Sequence, residues 1–155
     1  MYLTSFEALS AFAQQLQRHI GGSEFRTKVV LTPAPVNETG VVIKVSLLKT
    51  FIESRPQAAR SSRTLRIRVS VAGTAESMTG LKQALCAIEA IDRYLASDGL
   101  RLEAADETGK IRGVANSRII QAISQEDSFF DTPDSAAVQD IQDDRIVIIT
   151  IPTGG

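Results

Sequence analysis

The chain has no tryptophan, one histidine and one cysteine, and only 5% of its residues are aromatic. Each scarcity removes a class of function. With so few rings, a stacking platform for sugars or bases is not expected, and the core must be filled by Leu, Ile and Val. Cys86 has no partner for an internal disulfide and falls in an apolar helical pattern, so a packing role in a reducing compartment is expected. One Cys and one His cannot assemble a soft-ligand zinc site. A serine triad or a histidine-paired cysteine would need His19, which falls on the last turn of the first expected helix, where a polar or positive residue suits the helix dipole. No Gly-rich phosphate loop exists, since Gly21-Gly22 follow a helix instead of opening one. No segment approaches the roughly 18 apolar residues of a membrane span. The segment from Met1 to Glu7 has no basic and then apolar run that would direct it to a membrane. The expectation is a non-enzymatic protein with no metal, cofactor or membrane contact, working through surfaces offered to other chains.

What is present is the profile of one ordinary globular domain: 155 residues, 43% of them hydrophobic and 23% charged. Thr4 and Glu7 have the spacing of a capping box, and Leu9, Phe12, Ala13, Leu16 and Ile20 recur on one helical stripe, predicting a helix over 5–20. Thr27 to Leu31 reads as a short strand stopped by Pro33 and Pro35. After Gly40, Val41, Ile43, Val45 and Leu47 alternate with Val42, Lys44, Ser46 and Leu48, a two-residue period. Leu65, Ile67, Val69 and Val71 alternate with Arg66, Arg68 and Ser70, so this strand should keep one face in the core and one in water. The two pair as a hairpin, and Lys49 to Arg63 between them, with Pro56 and several serines, reads as a projecting loop. Met78, Leu81, Leu85, Ile88, Ile91 and Leu95 predict a helix over 77–96, halted at Asp98-Gly99. Leu100 to Leu102 is a candidate short strand, Ser117 to Ile123 is ambiguous between strand and helix, and 124–144 reads as an acidic loop. Arg145 to Ile151, β-branched on both faces, reads as a central strand closed by Pro152. The expected fold is α+β in a single domain over 1–155, a mostly antiparallel twisted sheet with a long β-hairpin, covered by two helices.

Charge is placed unevenly. Residues 26–72 hold nine basic residues against two acidic, while 103–144 hold ten acidic against three basic. A near-neutral molecule with opposite poles can bind copies of itself head to tail, although solvated faces kept for solubility would give the same counts. The candidate interface residues are therefore Lys49, Arg55, Arg60, Arg63, Arg66 and Arg68 on the basic side and Asp131, Asp134, Asp140, Asp143 and Asp144 on the acidic side. A cation loop in the acidic stretch is not expected, because its spacing fits no EF-hand. Lys44, Arg66 and Arg68 could instead line one sheet face for nucleic acid, with Arg55, Arg60 and Arg63 reaching phosphates. Against that alternative, the face lacks stacking aromatics and the sequence pI is about 5.8.

The order of elements resembles that of the tail terminator proteins of tailed phages and related contractile injection systems. The resemblance rests on Leu9 to Ile20, on Thr64 to Gly73 running into the helix over 77–96, and on Arg145 to Pro152 as last strand, about two-thirds of the chain. It implies a small α+β subunit that forms a homo-oligomer, a hexameric ring, capping a tail tube and meeting sheath or neck proteins. Such a subunit would be part of a virion or injection particle assembled in the cytoplasm. In that reading Arg55, Arg60 and Arg63 engage a neighbouring subunit or the tube, and the acidic segment over 126–144 receives a basic partner. A ring-forming assembly protein, a nucleic-acid binder and a ligand-binding or catalytic domain with a hidden site are the three classes open at this stage.

Overall fold

The computed structural model describes residues 3–20, 27–31, 41–55, 60–75, 78–98, 101–105, 107–123 and 139–152. The first helix, α1, spans Ser5–Ile20, and the expected cap sets its start. The Thr4 backbone N–H donates to Glu7 Oε1 and the Glu7 N–H to Thr4 Oγ1, each at 3.2 Å, so two of the free donors of the first turn are satisfied reciprocally. Phe12, Leu16 and Ile20 are fully buried along the predicted stripe. Each such side chain removed from water stabilises the fold by about 1.5–3 kcal/mol.

Six strands form one sheet: β1 (Lys28–Leu31), β2 (Val41–Arg55), β3 (Arg60–Ala75), β4 (Leu102–Ala105), β5 (Ile111–Ile123) and β6 (Gln139–Pro152). Their order across the sheet is β1-β2-β3-β6-β5-β4. Only β1 and β2 run parallel; every other neighbouring pair is antiparallel, so the α+β class and the long hairpin are those expected. The closing strand is central, flanked by β3 and β5. One face presents Ile43, Val45, Leu65, Ile67, Val69, Val147 and Ile149 to the helices, all buried. The other face is less open than simple alternation suggests, since Val42, Ala72 and Ile146 are buried there beside Ser70 and Asp144.

Two of the expected loops are strand. Lys49 to Arg63 is not a loop: β2 continues to Arg55 and β3 begins at Arg60, paired rung by rung down to Arg55 opposite Arg60, which leaves only 56–59 outside the described residues. A long polar segment can stay in a ladder because the ladder is made by backbone groups, which do not depend on apolar side chains. Residues 139–144 likewise belong to β6 and not to an acidic loop, and Ser117 to Ile123 is strand. The rest of the expected acidic loop, 124–138, lies outside the described residues. Glu103 sits in β4, and the chain turns at 107–109, where Gly109 takes φ +86°, a left-handed conformation natural to glycine.

The second helix, α2 (Met78–Arg93), widens at its end into a π-helical turn over Tyr94–Asp98 that sets Tyr94 and Leu95 in the core. Its buried face is Ala84, Ala87, Ala90 and Ile91, whereas Met78 and Leu85, expected inward, are 77% and 46% exposed. Small side chains let the helix backbone approach the sheet closely, which rotates the bulky stripe partly outward.

Bulges lie in β2 between Leu47 and Lys49 and in β5 between Ile119 and Gln121. A bulge increases local twist, and the sheet curls until strands from both of its sides touch α1, which packs against β1 and also against β4.

Candidate assembly surface

The glutamines of α1 finish the two edges of the curled sheet. Gln17 Nε2 donates to Thr27 O at 3.0 Å while its Oε1 accepts the Val29 N–H at 2.7 Å, so one side-chain amide pairs with the outer edge of β1 as a neighbouring strand would. On the other side Gln15 Nε2 donates to Glu103 O at 3.3 Å, and Gln15 Oε1 accepts the buried Tyr94 hydroxyl at 3.1 Å. Phe12 meets Tyr94 edge-on, and His19 lies tilted against the same ring at 5.6 Å, so the single histidine is used in packing. Two clefts of about 390 Å³ flank α1; Arg18 borders both, with Phe6 and Ile111 in one and Val29 and Leu31 in the other.

Elsewhere, among the described residues, the edges are open. β1 pairs with β2 only from Val42 to Val45, so among the described residues no strand covers β2 over 46–55. β4 reaches β5 only between Ile111 and Ala115, and among the described residues no strand covers its outer edge over 116–123. The open stretch of β2 also presents apolar side chains: Leu47 is 44%, Leu48 41% and Ile52 64% exposed. A long unpaired strand edge with exposed apolar groups is a ready template for pairing with another chain.

The candidate charged residues fall into separate settings. Lys49 and Arg66 face each other as a cross-strand pair, both exposed, an unfavourable juxtaposition of like charge. Lys44 and Arg68 share that face, both half-buried. Arg55 and Arg60 form the last rung before 56–59. Arg63 lies on the helix face, where its Nη1 donates to Ser5 Oγ at 3.3 Å. Of the acidic set, Asp144 is buried and lies 3.8 Å from Arg68 Nε, and Asp143 receives a bond from Arg145 Nη1 at 2.9 Å. Asp140 stands opposite Thr74 in β6, and Asp131 and Asp134 lie outside the described residues. The structure thus gathers Lys49, Arg66 and Arg68 on one face and engages Asp143 and Asp144 inside the chain.

Sequence reasoning missed the anchor beneath α2. Arg145 Nε and Nη2 donate to the two carboxylate oxygens of Asp92 at 2.9 and 3.2 Å, a bidentate bridge from β6 to the helix. The hydrogen bond to Asp92 raises the Arg145 guanidinium above its ordinary pKa, with Asp143 adding to the effect and burial opposing it. Nothing local in the sequence marks that pair, 53 residues apart. It missed the open edge as well, although the adjacent Leu47-Leu48 did break the alternation where the bulge occurs.

No protein-family model matches the chain, and no curated protein does. Among solved structures it is similar to a chain from the virion of a native gene transfer agent particle, with 15% identity, a TM-score of 0.49, and coverage of 99% of this chain and 100% of that one.

Proposed function

We propose that the chain is a structural assembly protein of a phage-like particle, forming a ring that caps a tail tube and joins it to the neighbouring sheath or neck component. The observation that carries this reading is the arm of β2 that no described strand covers: ten residues of strand edge over 46–55 with Leu47, Leu48 and Ile52 turned to solvent. A monomer gains nothing from holding three large aliphatic side chains in water, whereas a subunit buries them on assembly. The element order that resembles tail terminators agrees with it, and in this reading the particle is assembled in the cytoplasm. The basic face around Lys49 and Arg66 meets an acidic surface of the next subunit or the tube. Light scattering over a range of protein and salt concentration is the test. A closed oligomer near six subunits is expected, and Leu47→Ser with Ile52→Ser should give a folded monomer with an unchanged circular dichroism spectrum. A strict monomer under every condition, with no rings on added tube, would overturn the reading.

A further inference from the structure

Resting on that self-assembly reading, we propose which surfaces meet: the open edge of β2 over 46–55 takes the open edge of β5 over 116–123 from a second copy, extending the sheet from subunit to subunit. Three observations favour β5 of another copy as the occupant. First, the two open edges lie on opposite sides of the same sheet, β2 on one flank and β5 on the other, so the contact is head to tail and one copy uses each edge once. Second, they stand at the same level. The rung that joins Thr50 to Leu65 continues through Ile149 to Ser117, and the next joins Phe51 to Thr64, Thr150 and Asn116, so complete four-strand rungs end in an open edge at both sides.

Third, direction fits. β2, β3, β6 and β5 alternate in direction, so β2 and β5 run opposite to one another. Placing β5 of one copy beside β2 of the next continues the alternation without interruption and gives an antiparallel junction, the more stable kind of ladder. Pairing β2 with β2 of a second copy instead would satisfy one edge and leave β5 open in both copies. The ten residues open on β2 and the eight on β5 both exceed the usual strand length of about 5–6 residues, so a full ladder fits.

The test is disulfide trapping in a Cys86→Ser background, with Thr50→Cys on β2 combined in turn with Asn116→Cys, Ser117→Cys, Arg118→Cys or Gln121→Cys on β5. At least one double variant should give, on mild oxidation, a ladder of multiples of the monomer mass ending at the ring, while each single variant stays monomeric on a denaturing gel. Dimers from Thr50→Cys alone would overturn the proposal in favour of a two-fold β2 contact. Absence of a ladder from all four pairs, with light scattering still showing a closed oligomer, would overturn this interface and leave the assembly reading standing. Monomers in both measurements would sink the two together. Circular dichroism on each variant confirms that the chain is folded before the gel is read.

Discussion

The two halves of β2 belong to one strand and have opposite surroundings. From Val42 to Val45 the strand is held by β1 on one side and β3 on the other, and its side chains are buried or half-buried. From Ser46 to Arg55 β3 is the one neighbour among the described residues, and Leu47, Leu48 and Ile52 face water. The first half supplies stability that a monomer needs. The second supplies an edge and apolar area that a monomer does not need. The change falls at the Leu48 bulge, so one extra residue separates the covered half of the strand from its uncovered half.

Substitutions in the two halves should behave differently. The largest effect is expected in the closed half: Ile43→Ala removes a fully buried side chain between the sheet and the helices. It should cost about 2–5 kcal/mol in urea unfolding, and assembly should fail because the subunit itself is lost. Next comes Gln17→Ala, which strips the amide that pairs with Thr27 O and the Val29 N–H; Thr27 is almost fully buried, so its carbonyl loses a partner that water replaces poorly. A loss of about 2 kcal/mol is expected by urea midpoint, together with faster aggregation from the uncovered β1 edge, while Gln14→Ala on the exposed side of α1 stays within about 0.5 kcal/mol. The smallest effect is expected in the open half: Lys49→Thr removes a like-charge pairing with Arg66 and should stabilise the monomer by a few tenths of a kcal/mol. That gain should shrink in high salt, and its persistence at 1 M salt would show that the pair is not electrostatic in origin.

Much of the packed part of the fold was legible in the sequence. The capping box of Thr4 and Glu7, the stripe from Leu9 to Ile20 and the alternation from Leu65 to Val71 each state a local geometry that tertiary packing then used unchanged. The open half was not, because an arm with both faces near solvent needs no apolar alternation, and Lys49 to Arg63 accordingly reads as a loop. β5 was ambiguous for a related reason: the bulge at Ile120 puts Ile119 and Ile120 in succession and breaks the two-residue period. In α2 the leucine and methionine spacing is helical, yet the face that packs is the alanine one, a choice made by how closely the sheet approaches. The charged candidates were hardest to place. Whether Asp144 is a surface acid or a buried partner of Arg68 depends on a ladder between residues 76 apart in sequence, and composition holds no trace of it.

The two bonds of Gln17 also bear on how the sheet finds its alignment. β1 has only four residues and is joined to β2 in parallel, so a slide of one residue is penalised by turning its side chains to the wrong face. A slide of two residues is not penalised in that way, because the same faces stay in place. The amide of Gln17 adds to the first penalty: it grips Thr27 O and the Val29 N–H on the outer edge of β1, and a slide of one residue would turn that pair toward β2, whereas a slide of two brings an equivalent pair to the same place. The helix therefore checks which edge of β1 faces outward, while Val29 and Leu31, packed against the core, hold the strand against a longer slide.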